Sequence, residues 1–300
     1  MTSLDYLIWM IFILVNVAFI TLLERKLLSY QQNRVGPNKV SVSGILQPFS
    51  DAIKLFTKNI LLPSSSVKIL FMLAPVTGLT LMLSMWASCN GTGSMINSDI
   101  SILIFLALLS MSVYPLLMAG WVSNSKYAFL GALRAVAQTI SYEIVMALFL
   151  FILMYYKLST NIIHSDKMSC TISLITLIPI LLMMWVAALM AESNRTPFDF
   201  SEGESELVSG FNVEYSGALF ALIFMAEYGM IFFMSTLTVA IFICPQTPTQ
   251  SSLFTLLLVI VYIWLRATYP RHRYDLLMLT AWKNLLPTLL SLIILQLSFV

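Results

Sequence analysis

Charge is what this chain has least of. Asp, Glu, Lys and Arg make up 10% of its 300 residues, against roughly 25% in an ordinary soluble domain, so a water-soluble fold of this size could not cover its surface. The net charge is only +2, and the bases fall in short clusters instead of along one face, which excludes nucleic acid as a partner. Cysteine is scarce and scattered. Cys89, Cys170 and Cys244 form no Cys-x-x-Cys pair and have no histidine at metal-ligand spacing, so no metal, cluster or disulfide framework is expected within the chain. Glycine makes no Gly-x-Gly-x-x-Gly and no phosphate loop, and Gly91-Thr92-Gly93 reads as a turn after Asn90. Nucleotide and flavin chemistry is therefore left to other chains.

What is abundant is apolar surface, 59% of residues with a mean hydropathy of +0.89. Runs long enough to cross a hydrocarbon core of about 30 Å fall near 4–23, 69–88, 100–121, 140–157, 172–191, 216–243, 253–268 and 283–299. The first begins almost at Met1 and meets Glu24-Arg25-Lys26 without a small-residue cleavage site, so it is expected to be a retained helix. The fold class expected is an all-α membrane protein of about eight transmembrane helices, residues 1–300 forming one polytopic domain. Between the first two crossings, Ile45, Leu46, Phe49, Ile53, Phe56 and Ile60 recur at helical spacing opposite Gln47, Asp51, Lys54 and Lys58, the pattern of an interfacial amphipathic helix.

Eight crossings place the loops after the first, third, fifth and seventh on one side. Of the 16 basic residues, only Lys157 and Lys167 then lie on the other. The positive-inside rule makes the basic side the cytoplasm or the matrix.

Three constellations could carry chemistry. Glu143, Glu192 and Glu227 stand inside or at the edge of apolar segments, where an acid costs about 2.5–3.5 kcal/mol at mid-helix and must face protein or water. At graded depths they read as a proton relay, with polar clamps between helices as the plainer alternative. The loop from Glu192 to Glu214 holds Asp199, Glu202, Glu204, Glu206 and Glu214 against Arg195 alone, with Phe198, Phe200 and Phe211 interleaved. The aromatics argue that it folds against something instead of remaining a solvated acidic loop. Arg25, Arg34, Arg134, Arg266, Arg271 and Arg273, with Tyr269 and Tyr274, form a basic and aromatic group on the same side. Headgroup anchoring explains most of these, and Arg25 beside Glu24 is the better candidate for lining a cavity. Tyr228, next to Glu227, could present a hydroxyl to a ligand.

Three strings carry a resemblance. Glu24-Arg25-Lys26-Leu27-Leu28 with Gln32-Asn33-Arg34-Val35-Gly36-Pro37-Asn38 is the first. The second is Ala191-Glu192-Ser193-Asn194-Arg195-Thr196-Pro197-Phe198-Asp199, running into Glu202-Gly203-Glu204-Ser205-Glu206 and on to Glu214-Tyr215. The third is Arg266-Ala267-Thr268-Tyr269-Pro270-Arg271 with Arg273-Tyr274-Asp275. Together they resemble the chain 1 family of NADH:ubiquinone oxidoreductase, the membrane-arm core subunits of respiratory complex I, over the whole length.

The resemblance implies a mitochondrial inner-membrane subunit whose odd-numbered loops face the matrix and whose partners are the other peripheral- and membrane-arm subunits, ubiquinone and lipid. It implies no cofactor bound by this chain alone, with FMN and iron–sulfur clusters in partner subunits and ubiquinone as substrate. The quinone-cavity residues it implies are Glu24, Arg25, Arg34, Asp51, Phe224, Tyr228, Arg271 and Arg273. Those of the proton relay are Asp199, Glu202, Glu204, Glu206, Glu214, Tyr142, Glu143, Glu192 and Glu227. Where the family often carries a glutamate after Lys58, this chain has Asn59, so no role is carried over there. A proton-coupled transporter, the rival reading, calls for inverted repeats and broken helices at mid-membrane, and neither stands out.

Overall fold

The structure is a computed structural model that describes residues 3–88, 100–157, 179–200, 210–243 and 247–298, with Gly203 and Pro245 besides. All regular structure among the described residues is helical. The helices are α1 (Ser3–Gln31), α2 (Gln47–Thr57), α3 (Lys68–Ser88), α4 (Ser101–Met111), α5 (Val113–Val122), α6 (Lys126–Lys157) and α7 (Pro179–Glu192). They continue with α8 (Gly217–Thr238), extended by a π turn at Val239–Ile243, then α9 (Pro248–Thr268) and α10 (Tyr274–Leu279). A second π turn (Thr280–Leu285) leads into α11 (Leu286–Ser298).

Among the described residues, seven segments are long and apolar enough to cross a membrane: α1, α3, α4 with α5, α6, α8 with its π turn, α9, and α10 through α11. The shorter apolar α7 occupies the expected fifth crossing, whose first residues, 172–178, lie outside the described residues. Several spans outrun their apolar cores, because polar and charged side chains at a helix end can reach the interface while the backbone stays hydrogen-bonded. Thus α6 begins at Lys126, not near residue 140. Its first turns carry Ala128, Ala132 and Ala135, all buried, and the absence of a Cβ on Gly120 lets α5 approach Ala132 closely.

One core runs the length of the bundle, with Trp86, Phe105, Phe149, Trp185, Phe233 and Phe242 among its members. Trp185 meets Phe149 edge-on at 5.6 Å and Phe242 at 5.9 Å. A second cluster joins α3, α5, α6 and α8 through Phe71, Ala119, Ala132, Phe211, Tyr215 and Leu219.

Helix α2 is the interfacial helix expected from its pattern. Ile53 and Phe56 are exposed on its outer face, Phe49 meets Phe19 of α1 edge-on at 6.0 Å, and Asp51 accepts from Arg25 at 2.5 Å and from Gln47 at 3.0 Å.

The connecting segments after α1, α5, α7 and α9 gather at one end of the bundle. Leu61 N–H donates to Ser216 Oγ, Asn124 Nδ2 to Ser65 O, and His272 N–H to Pro197 O. The loops that hold most of the bases therefore share one face.

Candidate functional site

The segment after α7 is drawn into the bundle. Gln138, fully buried on α6, donates through Nε2 to Ala191 O at 2.7 Å and Phe198 O at 2.9 Å, clamping both ends of the turn. Phe198 stacks on His272 and Phe200 packs edge-on against Tyr274. The aromatics in the acidic loop thus anchor it to the α9–α10 connection, and the turn carries Arg195 and Asp199 inward, 9% and 5% exposed.

Arg195 is the centre of the arrangement. Its guanidinium donates to Glu227 Oε2 at 2.7 Å and lies over the Tyr228 ring at 4.6 Å and the Phe224 ring at 5.6 Å. Phe224, Tyr228 and Glu227 share one stretch of α8, and Phe224 and Tyr228 stack at helical spacing. Asn212 also hydrogen-bonds Glu227. Asp199 accepts from Arg271 at 3.3 Å, and buried Glu24 pairs with Arg266 of α9. Three acid–base pairs therefore bind α1, α8, α9 and the two loops together at the basic end. Paired, these charges avoid much of the penalty of leaving water. Removing one partner would leave the other stranded, at about 3–5 kcal/mol.

Two cavities flank this row. The larger, about 110 Å³, lies among α3, α5, α6 and α8 and is lined by Glu192, Asn194, Glu227 and apolar side chains such as Pro75, Met82 and Pro115. The smaller, about 40 Å³, lies among α1, α7, α8 and α9 and touches Glu24, Arg195, Tyr228, Tyr262 and Arg266. Ser193 lines both. The Arg195 to Glu227 pair stands on the wall between them, with the base toward one cavity and the acid toward the other. Glu192 Oε2 and Asn194 Oδ1 beside the larger cavity, and Thr196 Oγ1 and the Tyr262 hydroxyl beside the smaller, are buried without a hydrogen-bond partner among the described residues. Polar atoms of this kind in cavities of this size are where ordered water is normally held.

A family profile described as NADH dehydrogenase matches residues 4–297. The chain belongs to the NADH dehydrogenase family. Its relatives named NADH-ubiquinone oxidoreductase chain 1 include one from Bradypus variegatus, 49% identical over 292 residues that cover 93% of this chain and 91% of the relative. Another, from Lampetra fluviatilis, is 47% identical over 304 residues covering 97% and 94%. A third, from Tetraodon nigroviridis, is 47% identical over 303 residues covering 98% and 94%. The resemblance read from three strings is thus the kinship of the whole chain.

Within this NADH dehydrogenase fold the residues singled out from sequence divide into groups. Glu24, Phe224, Tyr228, Asp199 and Arg271 converge on the row of ion pairs, as does Glu227. Glu192 lies across the larger cavity, buried, and Glu143 of α6 is near enough to interact with it electrostatically. Tyr142 points the other way, its hydroxyl bonded to Leu277 O at 3.2 Å and Thr280 Oγ1 at 3.1 Å.

The Arg25 and Asp51 pair is half exposed at the α1–α2 junction, below the row. Arg34 is exposed and holds Gln32, and Arg273 turns outward to Asp275, 85% and 67% exposed. Glu214 is partly buried beside Tyr215. Glu202, Glu204 and Glu206 lie outside the described residues.

Three members of the site are absent from the quinone-cavity and proton-relay sets that the resemblance implies. Arg195 was visible as the one base of the acidic loop, which is the signal that it must answer several acids. Arg266 was visible only as part of a basic cluster. Gln138 gave no signal, because an amide inside an apolar run can be read either way until its two carbonyl partners are known.

Proposed function

We propose that this chain is the core membrane subunit of the mitochondrial inner-membrane NADH:ubiquinone oxidoreductase that walls the ubiquinone cavity and passes the effect of quinone reduction into the membrane. The observation that carries the reading is the Arg195 to Glu227 pair standing between two polar-rimmed cavities. Quinone enters from the lipid beside α1, α2 and α8. Its isoprenoid tail lies on apolar wall and its head approaches the aromatic and basic face formed by Phe224, Tyr228 and Arg195. FMN and iron–sulfur clusters belong to the partner subunits, which deliver the electrons.

A quinone gaining two electrons also takes up two protons, so charge beside the cavity must rearrange. Arg195 senses such a change directly, because it faces the aromatic wall on one side and holds Glu227 on the other. If it relaxes toward a transient quinone anion, its hold on Glu227 weakens. The freed carboxylate takes a proton, and water in the larger cavity joins Glu227 to Glu192 and then Glu143. The acids Asp199, Glu202, Glu204, Glu206 and Glu214 form the loop-side reservoir of the relay, with Tyr142 fixing the far side of α6. Arg25, Arg34, Asp51 and Arg273, nearer the surface, belong to the outer part of the quinone cavity.

The experiment is performed on mild-detergent extracts separated by size, with NADH-to-dye activity stained on the same lanes and a photoreactive ubiquinone as a covalent probe. Migration with a very large NADH-active band, and quinone attachment to peptides containing Phe224 or Tyr228, is the expected result. Migration as a small NADH-inactive species, under conditions that keep other large assemblies intact, overturns the reading.

A further inference from the structure

The last span carries a lysine near its middle, although the count of bases by side placed Lys283 with the loops of the basic side. Lys283 sits in the π turn between α10 and α11, three residues from the centre of the 25-residue span Tyr274–Ser298, or ~4.5 Å along the axis. A second measure of depth agrees. The Tyr142 hydroxyl, which bonds Leu277 O and Thr280 Oγ1, belongs to a residue near the midpoint of the span Lys126–Tyr155. Lys283 lies one turn beyond that level. With a hydrocarbon core of about 30 Å, its Cα is roughly 10 Å from the nearer boundary and roughly 20 Å from the other, too deep to count among the lysines near helix ends that snorkel to the headgroups.

Its direction follows from the buried face. Leu277, Ala281, Leu285 and Leu289 are all buried, at a spacing of four that the wider π turn keeps in line. Lys283 lies midway between Ala281 and Leu285, on the opposite side, and it is exposed together with Trp282 and Asn284. Leu276, Leu279, Leu290 and Ile294 extend the exposed strip along the helix. No ion pair or hydrogen bond holds Lys283 among the described residues. Charged side chains inside membrane spans face protein or water and pair with an opposite group. Bare lipid offers this one neither, and π turns recur at functional sites.

We propose that the Lys283 face of α10 and α11 is the docking surface for a transmembrane helix of another chain, which presents an Asp or Glu to the Lys283 ammonium at mid-membrane. The leucines on either side supply van der Waals contact that any apolar helix would satisfy, so the charge pair sets partner and register. A single polar core position does the same in coiled coils. The inference needs the chain to span a membrane and does not depend on where quinone binds.

The intact assembly in its native membrane is treated with dicyclohexylcarbodiimide. The reagent activates a carboxyl as its O-acylisourea. Attack by Lys283 Nζ forms an amide and releases dicyclohexylurea, so the linked peptides weigh one water less than their sum. The expected product joins the Lys283 peptide to an Asp or Glu in an apolar segment of a different chain. Reductive methylation with formaldehyde and cyanoborohydride is the companion measurement. Lys283 is expected to react at least tenfold more slowly in the assembly than in the separated chain, and to stay protected after phospholipid is stripped away. A link to a carboxylate of this same chain overturns the proposal, as does equal methylation in both states. Protection that disappears with the phospholipid, while the other chains remain, assigns the site to a lipid headgroup and overturns it too.

Discussion

Arg195 shows how one side chain can join two halves of a site. It is held by Glu227, lies over two rings and stands between two cavities, so its removal should act on stability and function separately. Arg195→Met should destabilise the bundle by about 3–5 kcal/mol through the stranded Glu227 carboxylate. Arg195→Met with Glu227→Gln should recover most of that stability without restoring quinone reduction. Thermal inactivation and quinone-reductase rates in membranes check both parts, with NADH-to-dye activity as the control that should not move. Equal loss of dye activity in a fully assembled complex would sink the assignment of Arg195 to the quinone side.

Tyr215 offers a residue-scale test outside the membrane spans. Its ring stacks on Phe71 at 4.2 Å and 5°, and its hydroxyl reaches Phe71 O at 3.4 Å. Burial raises its pKa above the ordinary value of 10. A group whose pKa is raised in the fold contributes its full share below the unfolded value and loses it as pH climbs above that value. Stability should therefore fall above about pH 10, and Tyr215→Phe should lose less there while changing little near pH 7. Tyr215→Ala, by contrast, should cost about 3–5 kcal/mol at any pH through the lost stacking and the cavity left behind. Melting curves at pH 7 and pH 10.5 distinguish the variants.

At the scale of elements, the amphipathic helix was legible because its period and its charges agree. The turn that seats it against α8 was not. Gly217 opens α8 with φ +59°, and a Cβ there would stand 3.0 Å from Lys58 O at the end of α2. Left-handed backbone at a non-glycine residue costs about 1–3 kcal/mol, and here crowding adds to it. Gly217→Ala should loosen the α2–α8 junction and raise the apparent KM for quinone more than it lowers kcat, since the disturbed wall lies at the lipid entrance. A fall in kcat at unchanged KM would place that junction away from substrate entry.

Element boundaries followed the same logic. Hydropathy found the apolar centre of each span, but α6 starts fourteen residues before its expected edge. Its opening turns are held by close helix packing at Gly120 and Ala132, and no window of mean hydropathy registers that.

For the whole molecule, the distribution of bases and the crossing count imply an orientation. A single cysteine placed at Thr249, in the first turn of α9, should react with a membrane-impermeant thiol reagent only from the intermembrane side. One placed at Lys39 should react only from the matrix side, in a background freed of the three native cysteines. Labelling of both from one side would contradict the eight-crossing plan.

The sequence by itself determined that this chain is a bundle of about eight apolar helices of membrane-crossing length, which loops carry the bases and which acids are costly enough to need a reason. Those properties follow from hydropathy and charge, which add up along the chain and need no knowledge of contacts. Only the tertiary structure decided which base answers which acid: Arg266 for Glu24, Arg195 for Glu227, Arg271 for Asp199. Such pairs join residues as far apart as α1 and α9. They depend on which helix faces come within hydrogen-bond reach, and that is settled by packing the whole bundle, not by any local pattern.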